Sequence, residues 1–144
     1  MEHNTFVTET DEEYVKRQSI KGMIIAFVIF TLGSACLGFF VSWSLFVFFE
    51  LIIVISCVVT FYQQRRRGHA WRLEFYNNEL MVTNLTTQEQ FHVCDMPASD
   101  FIITQPKNEI ALDYCSFAVK RTILAFGGVK NCKQLRAYIQ ENFD

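Results

Sequence analysis

The chain has 144 residues, a formal charge of −2, a hydrophobic fraction of 51%, an aromatic fraction of 15% and five cysteines. A near-neutral charge argues against a nucleic-acid partner. Once the apolar runs described below are set aside, the length leaves room for one small domain and no more. Cys36, Cys57, Cys94, Cys115 and Cys132 contain no Cys-x-x-Cys pair, so they read as free thiols in a reducing compartment rather than a disulfide framework.

Residues 1–8 show little pattern and are expected to be loose. Thr10-Asp11-Glu12-Glu13 has the form of a capping box, with a Thr hydroxyl at a helix start and a Glu three residues on. The acidic residues also suit the positive end of a helix dipole. A helix is expected from about Asp11 straight into the first apolar run.

That run, residues 22–41, carries no charge, and a second, residues 45–62, is interrupted only by Glu50. About 20 mostly apolar residues cross about 30 Å of hydrocarbon. Two such runs joined by the short Ser42-Trp43-Ser44 link predict a transmembrane hairpin. The first run is too long and too far from the N-terminus to read as a cleaved signal.

Lys16, Arg17 and Lys21 precede the first run, Arg65, Arg66 and Arg67 follow the second, and the link is uncharged. Both clusters place their ends on the cytoplasmic side, so both termini are expected there, in a multi-pass cell-membrane protein. The three arginines are also candidates for contact with anionic lipid.

Glu50 is costly inside a span, which makes it a candidate contact for a membrane partner. Only about two turns separate it from the outer end of its helix, a depth that water or headgroups can reach. Ser34 and Gly38 lie four apart, and small residues at that spacing let helices approach closely. That face serves packing of the two spans on each other, or contact with another membrane protein or a second copy.

After the arginines the period changes from helical to alternating. Trp71-Arg72-Leu73-Glu74-Phe75 alternates as a half-buried strand does. Asn77-Asn78 signals a turn into a strand at 80–84. Further strands are expected at 91–94, 101–104, 110–117 and 120–126, the last ended by Gly127-Gly128. Asn84-Leu85-Thr86 is a glycosylation sequon by pattern and a strand-end turn by context. Asn131 opens a helix with Gln134 at a capping-box position and Leu135, Tyr138, Ile139 and Phe143 along one stripe.

The reading is thus an α+β membrane protein. It has an N-terminal cytoplasmic segment (1–21), a transmembrane helical hairpin (22–62) and a cytoplasmic domain (63–144) of about six antiparallel strands with one C-terminal helix. His92 and Cys94, two apart on a strand, make half a metal site with no third ligand in view. No metal or other cofactor is predicted, and no Ser-His-Asp set, carboxylate pair or phosphate-cradling loop points to an enzyme.

Phe75-Tyr76-Asn77-Asn78-Glu79-Leu80 as a first hairpin, Asp100-Phe101-Ile102-Ile103-Thr104 and Asn108-Glu109-Ile110-Ala111-Leu112 as middle strands, and the helix from Asn131 together resemble a pleckstrin-homology-like (PH-like) barrel or sheet. With the hairpin, the chain is similar to small bacterial membrane proteins of the bacterial PH-like and YcxB-like groups. The resemblance implies a non-catalytic binding or scaffold module held at the membrane surface. A protein partner would dock on strand edges or beside the last helix. Phosphoinositide-binding members present Lys and Arg from the first strand pair, whereas this chain has Glu74 and Glu79 there. Two other functions are open at this stage: an accessory subunit contacting a transporter or its own copy through the hairpin, and a membrane enzyme acting on lipid.

Overall fold

The computed structural model describes residues 5–76 and 78–143. They fall into two compact units. One is Lys16–Arg67; the other combines the described residues before Lys16 with those from Gly68 onward. In chain order the elements are β1 (Phe6–Glu9), α1 (Glu12–Phe40), α2 (Trp43–Arg67), β2 (Trp71–Tyr76), β3 (Glu79–Asn84) and β4 (Gln90–Val93). Then come β5 (Phe101–Thr104), β6 (Cys115–Val119), β7 (Ala125–Val129) and α3 (Cys132–Asn142), with 3₁₀ turns at Ala98–Asp100 and Lys107–Leu112.

The two long helices are apolar enough to cross a membrane, with mean hydropathy 2.3 and 2.5 in their best windows. Only 6% of the first window and none of the second is buried within the structure. They are apolar all round, which suits surroundings as apolar as themselves. Arg65, Arg66 and Arg67 fill the last turn of α2, where cations complement the helix dipole.

The β-unit holds two antiparallel sheets, ordered β1-β2-β3-β4 and β5-β6-β7. Their inner faces and α3 enclose one core. Leu73, Phe75, Leu80 and Val82 come from the first sheet, Cys115, Phe117, Val119, Phe126 and Val129 from the second, and Leu135 and Ile139 from α3. Phe75 is fully buried, and the rings of Phe6, Phe101, Phe117, Tyr138 and Phe143 surround it at centroid distances of 5.6–6.3 Å.

The α+β layout matches the pattern, but the sheets do not close into a barrel among the described residues. A single bridge, Thr10 to Val129, joins their first and last strands, and the Lys130 N–H donates to the Glu9 carbonyl at 3.1 Å. Between β4 and β5 the chain runs through Pro97, which has no N–H for a ladder.

Four expectations about local structure need correction. First, Phe6–Glu9 is a strand rather than a loose end, paired with β2 in the register Phe6 to Phe75 through Glu9 to Arg72. Second, residues 110–117 are not one strand. Lys107–Leu112 coils as 3₁₀ turns because Glu109 points inward while Ile110 and Leu112 face out, and β6 begins only at Cys115.

Third, residues 120–124 form the connection into β7, and Gly127-Gly128 lies within that strand. Gly128 has φ 64°, where a side chain is strained, and its place in a bulge turns the backbone against the first turn of α1. A Cβ there would sit 2.8 Å from Val15 Cγ2 and 2.9 Å from Tyr14 Cδ1.

Fourth, the helix caps differ. The Thr10 hydroxyl donates to the His69 carbonyl (2.8 Å) and accepts the Trp71 N–H (2.9 Å), so it ties the chain entering α1 to the chain entering β2. Asp11 caps α1 by accepting the Tyr14 N–H at 3.0 Å. Asn131 is left-handed and makes no side-chain cap. The first N–H groups of α3 are met instead by Asp113, whose carbonyl accepts from Cys132 and whose carboxylate accepts from Lys133.

Candidate functional site

Three polar groupings stand out, and each stays within one unit. In the hairpin, Ser34 and Gly38 are the buried residues of α1. The Ser34 hydroxyl donates to the Glu50 carboxylate on α2 and also contacts the Thr31 carbonyl. Gly38 sits against Phe46, whose Cβ would lie 2.5 Å from any Cβ placed on the glycine. The structure therefore brings Glu50, Ser34 and Gly38 together in the contact between α1 and α2. Glu50 thus finds a hydrogen-bond donor inside the hairpin, in an otherwise apolar stretch of α2. A mostly apolar groove of about 780 Å³, lined by Met23, Ala26, Gly33, Ser56 and Cys57 among others, runs between the same helices.

The second grouping holds the first turn of α1 on the β-unit. The Tyr14 hydroxyl donates to Glu109 Oε1 (2.6 Å), and the Tyr114 hydroxyl donates to Asp11 Oδ2 (2.5 Å). The two rings meet edge to face at 5.1 Å. The bond from Tyr114, then the Tyr14 N–H, holds Asp11 below the ordinary carboxylate range. The same bond, aided by burial, pushes Tyr114 up to about 12.

The signs give a testable window. The Asp11 contribution to stability is present above the ordinary carboxylate pKa and is lost as pH falls through its lowered value. The Tyr114 contribution is present below pH 10 and is lost as pH rises through about 12. Tyr114→Phe is expected to cost about 1 kcal/mol near neutrality, after allowing for solvent screening. It should also flatten both ends of the curve of thermal midpoint against pH.

The third grouping lies on the outer face of the first sheet. The register pairs Tyr76 with Glu79 across the turn and Met81 with His92. Leu80 and Val82 point into the core, so Glu79 and Met81 point outward with His92 and Cys94. His92 Nε2 lies 2.9 Å from Glu79 Oε2 and 3.4 Å from the Tyr76 hydroxyl, and its ring stacks on Tyr76. Cys94 Sγ lies 3.6 Å from His92 Nδ1 and 3.9 Å from Nε2. The strand spacing of His92 and Cys94 was visible in the sequence; Glu79 and Tyr76 were not assigned to that site. The signal was the turn at Asn78, whose φ of 61° fixes the hairpin register. Asn77 lies outside the described residues.

Elsewhere, Asn84 of the sequon is buried at the end of β3, and its Oδ1 accepts the N–H groups of Thr86 and Thr87, so the segment is a side-chain-stabilised turn. Arg65, Arg66 and Arg67 are exposed. Comparison with protein-family models, curated proteins and solved structures finds no match to this chain.

Proposed function

We propose that this protein is a non-catalytic, membrane-anchored binding module. In this reading α1 and α2 cross the membrane as a hairpin, and the β-unit is a PH-like domain that docks a protein partner at the cytoplasmic surface. The observation that carries the proposal is the ladder between β1 and β2. One strand precedes the hairpin and the other follows it, and Thr10 and Trp71, 61 residues apart, are hydrogen-bonded to each other. The chain must leave and re-enter the same folded body, which favours an even number of crossings with both ends on one side. Lys16, Arg17, Lys21 and the three arginines argue that this side is cytoplasmic. The arginines would also meet anionic headgroups. Four strands, then three, then one C-terminal helix is the order that supports the PH-like resemblance.

The accessory-subunit alternative draws on the uncovered apolar faces of the hairpin. It is weakened because Glu50, Ser34 and Gly38, its specific contacts, are engaged between α1 and α2. Affinity purification in mild detergent separates the two readings, using the full chain beside a version lacking Lys16–Arg67. A stoichiometric partner held by both forms is the expected result. A partner held only by the full chain would move the function to the hairpin.

A further inference from the structure

We propose that Glu79, His92 and Cys94 form a zinc-binding site on the outer face of the first sheet. It is the group of three metal-ligating side chains found among the described residues. Each offers one donor atom, and the three donors lie within 4.8 Å of one another. Zinc held at about 2.0 Å by nitrogen and oxygen and about 2.3 Å by sulfur needs donors about 3.3–3.6 Å apart in a tetrahedron. Here His92 Nε2 is 2.9 Å from Glu79 Oε2 and 3.9 Å from Cys94 Sγ, which lies 3.6 Å from Nδ1, so the donors are gathered but not yet in a tetrahedral arrangement. Seating the ion on Nε2 requires the exposed Cys94 side chain to turn from beside Nδ1 toward Nε2, a rotation about its own χ1.

The donor set selects the metal. One imidazole, one thiolate and one carboxylate suit a borderline-soft ion, whereas calcium and magnesium take oxygen. Binding displaces the thiol proton of Cys94 to solvent. Cys94 and His92 are exposed and Glu79 is half-buried, so an ion can enter directly from solution.

The sheet supplies the preorganisation. Glu79 opens β3, His92 lies in β4 opposite Met81, and Cys94 follows β4 directly, so two hydrogen-bonded strands hold the donors. The Tyr76 ring stacks on His92 at 6.3 Å and 17° and limits how the imidazole can turn. Three protein ligands leave a fourth position for water or for a donor on another molecule. The site is independent of the anchoring role argued above.

The test is titration of the full-length, metal-stripped protein in detergent with zinc ion against a chromophoric chelator, and with cobalt(II) as an optical probe. One equivalent of zinc is expected. Cys94→Ser, His92→Gln and Glu79→Gln should each weaken it at least tenfold. The near-ultraviolet thiolate-to-cobalt band should vanish in Cys94→Ser and persist in Cys36→Ser. Zinc should also slow alkylation of Cys94 in the wild type and not in His92→Gln, a readout that needs no Cys94 substitution. Uptake unchanged in Cys94→Ser, or zinc failing to protect Cys94, would overturn the site and leave a solvent-facing Glu79–His92 hydrogen bond.

Discussion

A fragment beginning at Gly68 is expected not to fold, whereas the chain with Lys16–Arg67 replaced by a short flexible linker should fold and be soluble. The difference is β1 and the first turn of α1, which belong to the β-unit although they precede the hairpin. Removing them strips β2 of a ladder partner and leaves an open strand edge. It takes away Phe6, which packs on Phe75 and stacks on Tyr138 at 5.3 Å. Loss of such a ring costs about 3–5 kcal/mol where it is well packed.

It also takes away the buried Thr8 hydroxyl, which donates to the Lys130 carbonyl at 2.7 Å, and the Tyr14 bond to buried Glu109. Each buried group left unpaired costs about 1–3 kcal/mol. The sum is comparable with the whole stability of a small domain, about 5–15 kcal/mol. A linker of about eight Gly/Ser residues, reaching about 15 Å, spans the roughly 10 Å between the axes of packed helices that it replaces. Cooperative thermal unfolding of the linked form, set against aggregation of the shorter fragment, is the measurement. A well-folded fragment from Gly68 would show that β1 is dispensable.

Phe75→Ala should be among the most damaging single substitutions in the β-unit, at about 3–5 kcal/mol. Its ring is fully buried where both sheets and the end of α3 converge, and no neighbour can collapse into the space without losing its own contacts. Phe91→Ala is the control. It pairs with Val82 on the same inner face but at the open edge of the sheet, is 41% exposed and touches only Trp71 among described ring pairs, so a smaller loss, about 1 kcal/mol, is expected. Chemical denaturation of the linked form would read both. Equal losses would place the core elsewhere.

Much of this architecture was legible from periodicity. The apolar runs marked both long helices, and alternation marked β2 and β3 because one face of each is buried. β1 escaped because it is four residues long, its buried inward residue is a threonine, and its partner is distant in sequence. Gly127-Gly128 looked like a strand end because glycines usually are; the bulge that uses them depends on contact with Tyr14 and Val15. Ile110 and Leu112 alternate with Ala111 by coincidence, and what sets that segment is buried Glu109 seeking Tyr14. Glu79, His92 and Cys94 required the strand register, which local pattern does not give.

The position of the hairpin also has a consequence for biosynthesis. β1 is synthesised before both long helices, and its ladder partner β2 only after them. The first sheet is therefore incomplete throughout the synthesis of α1 and α2. If these helices cross as proposed, a chain whose second helix fails to return would leave Phe6–Glu9 on one side of the bilayer and Trp71–Tyr76 on the other, each with exposed ladder groups. Completion of the sheet would then depend on the second helix returning to the side of the first. Chains that turn back correctly acquire a closed core, and those that do not remain unfolded and open to proteolysis.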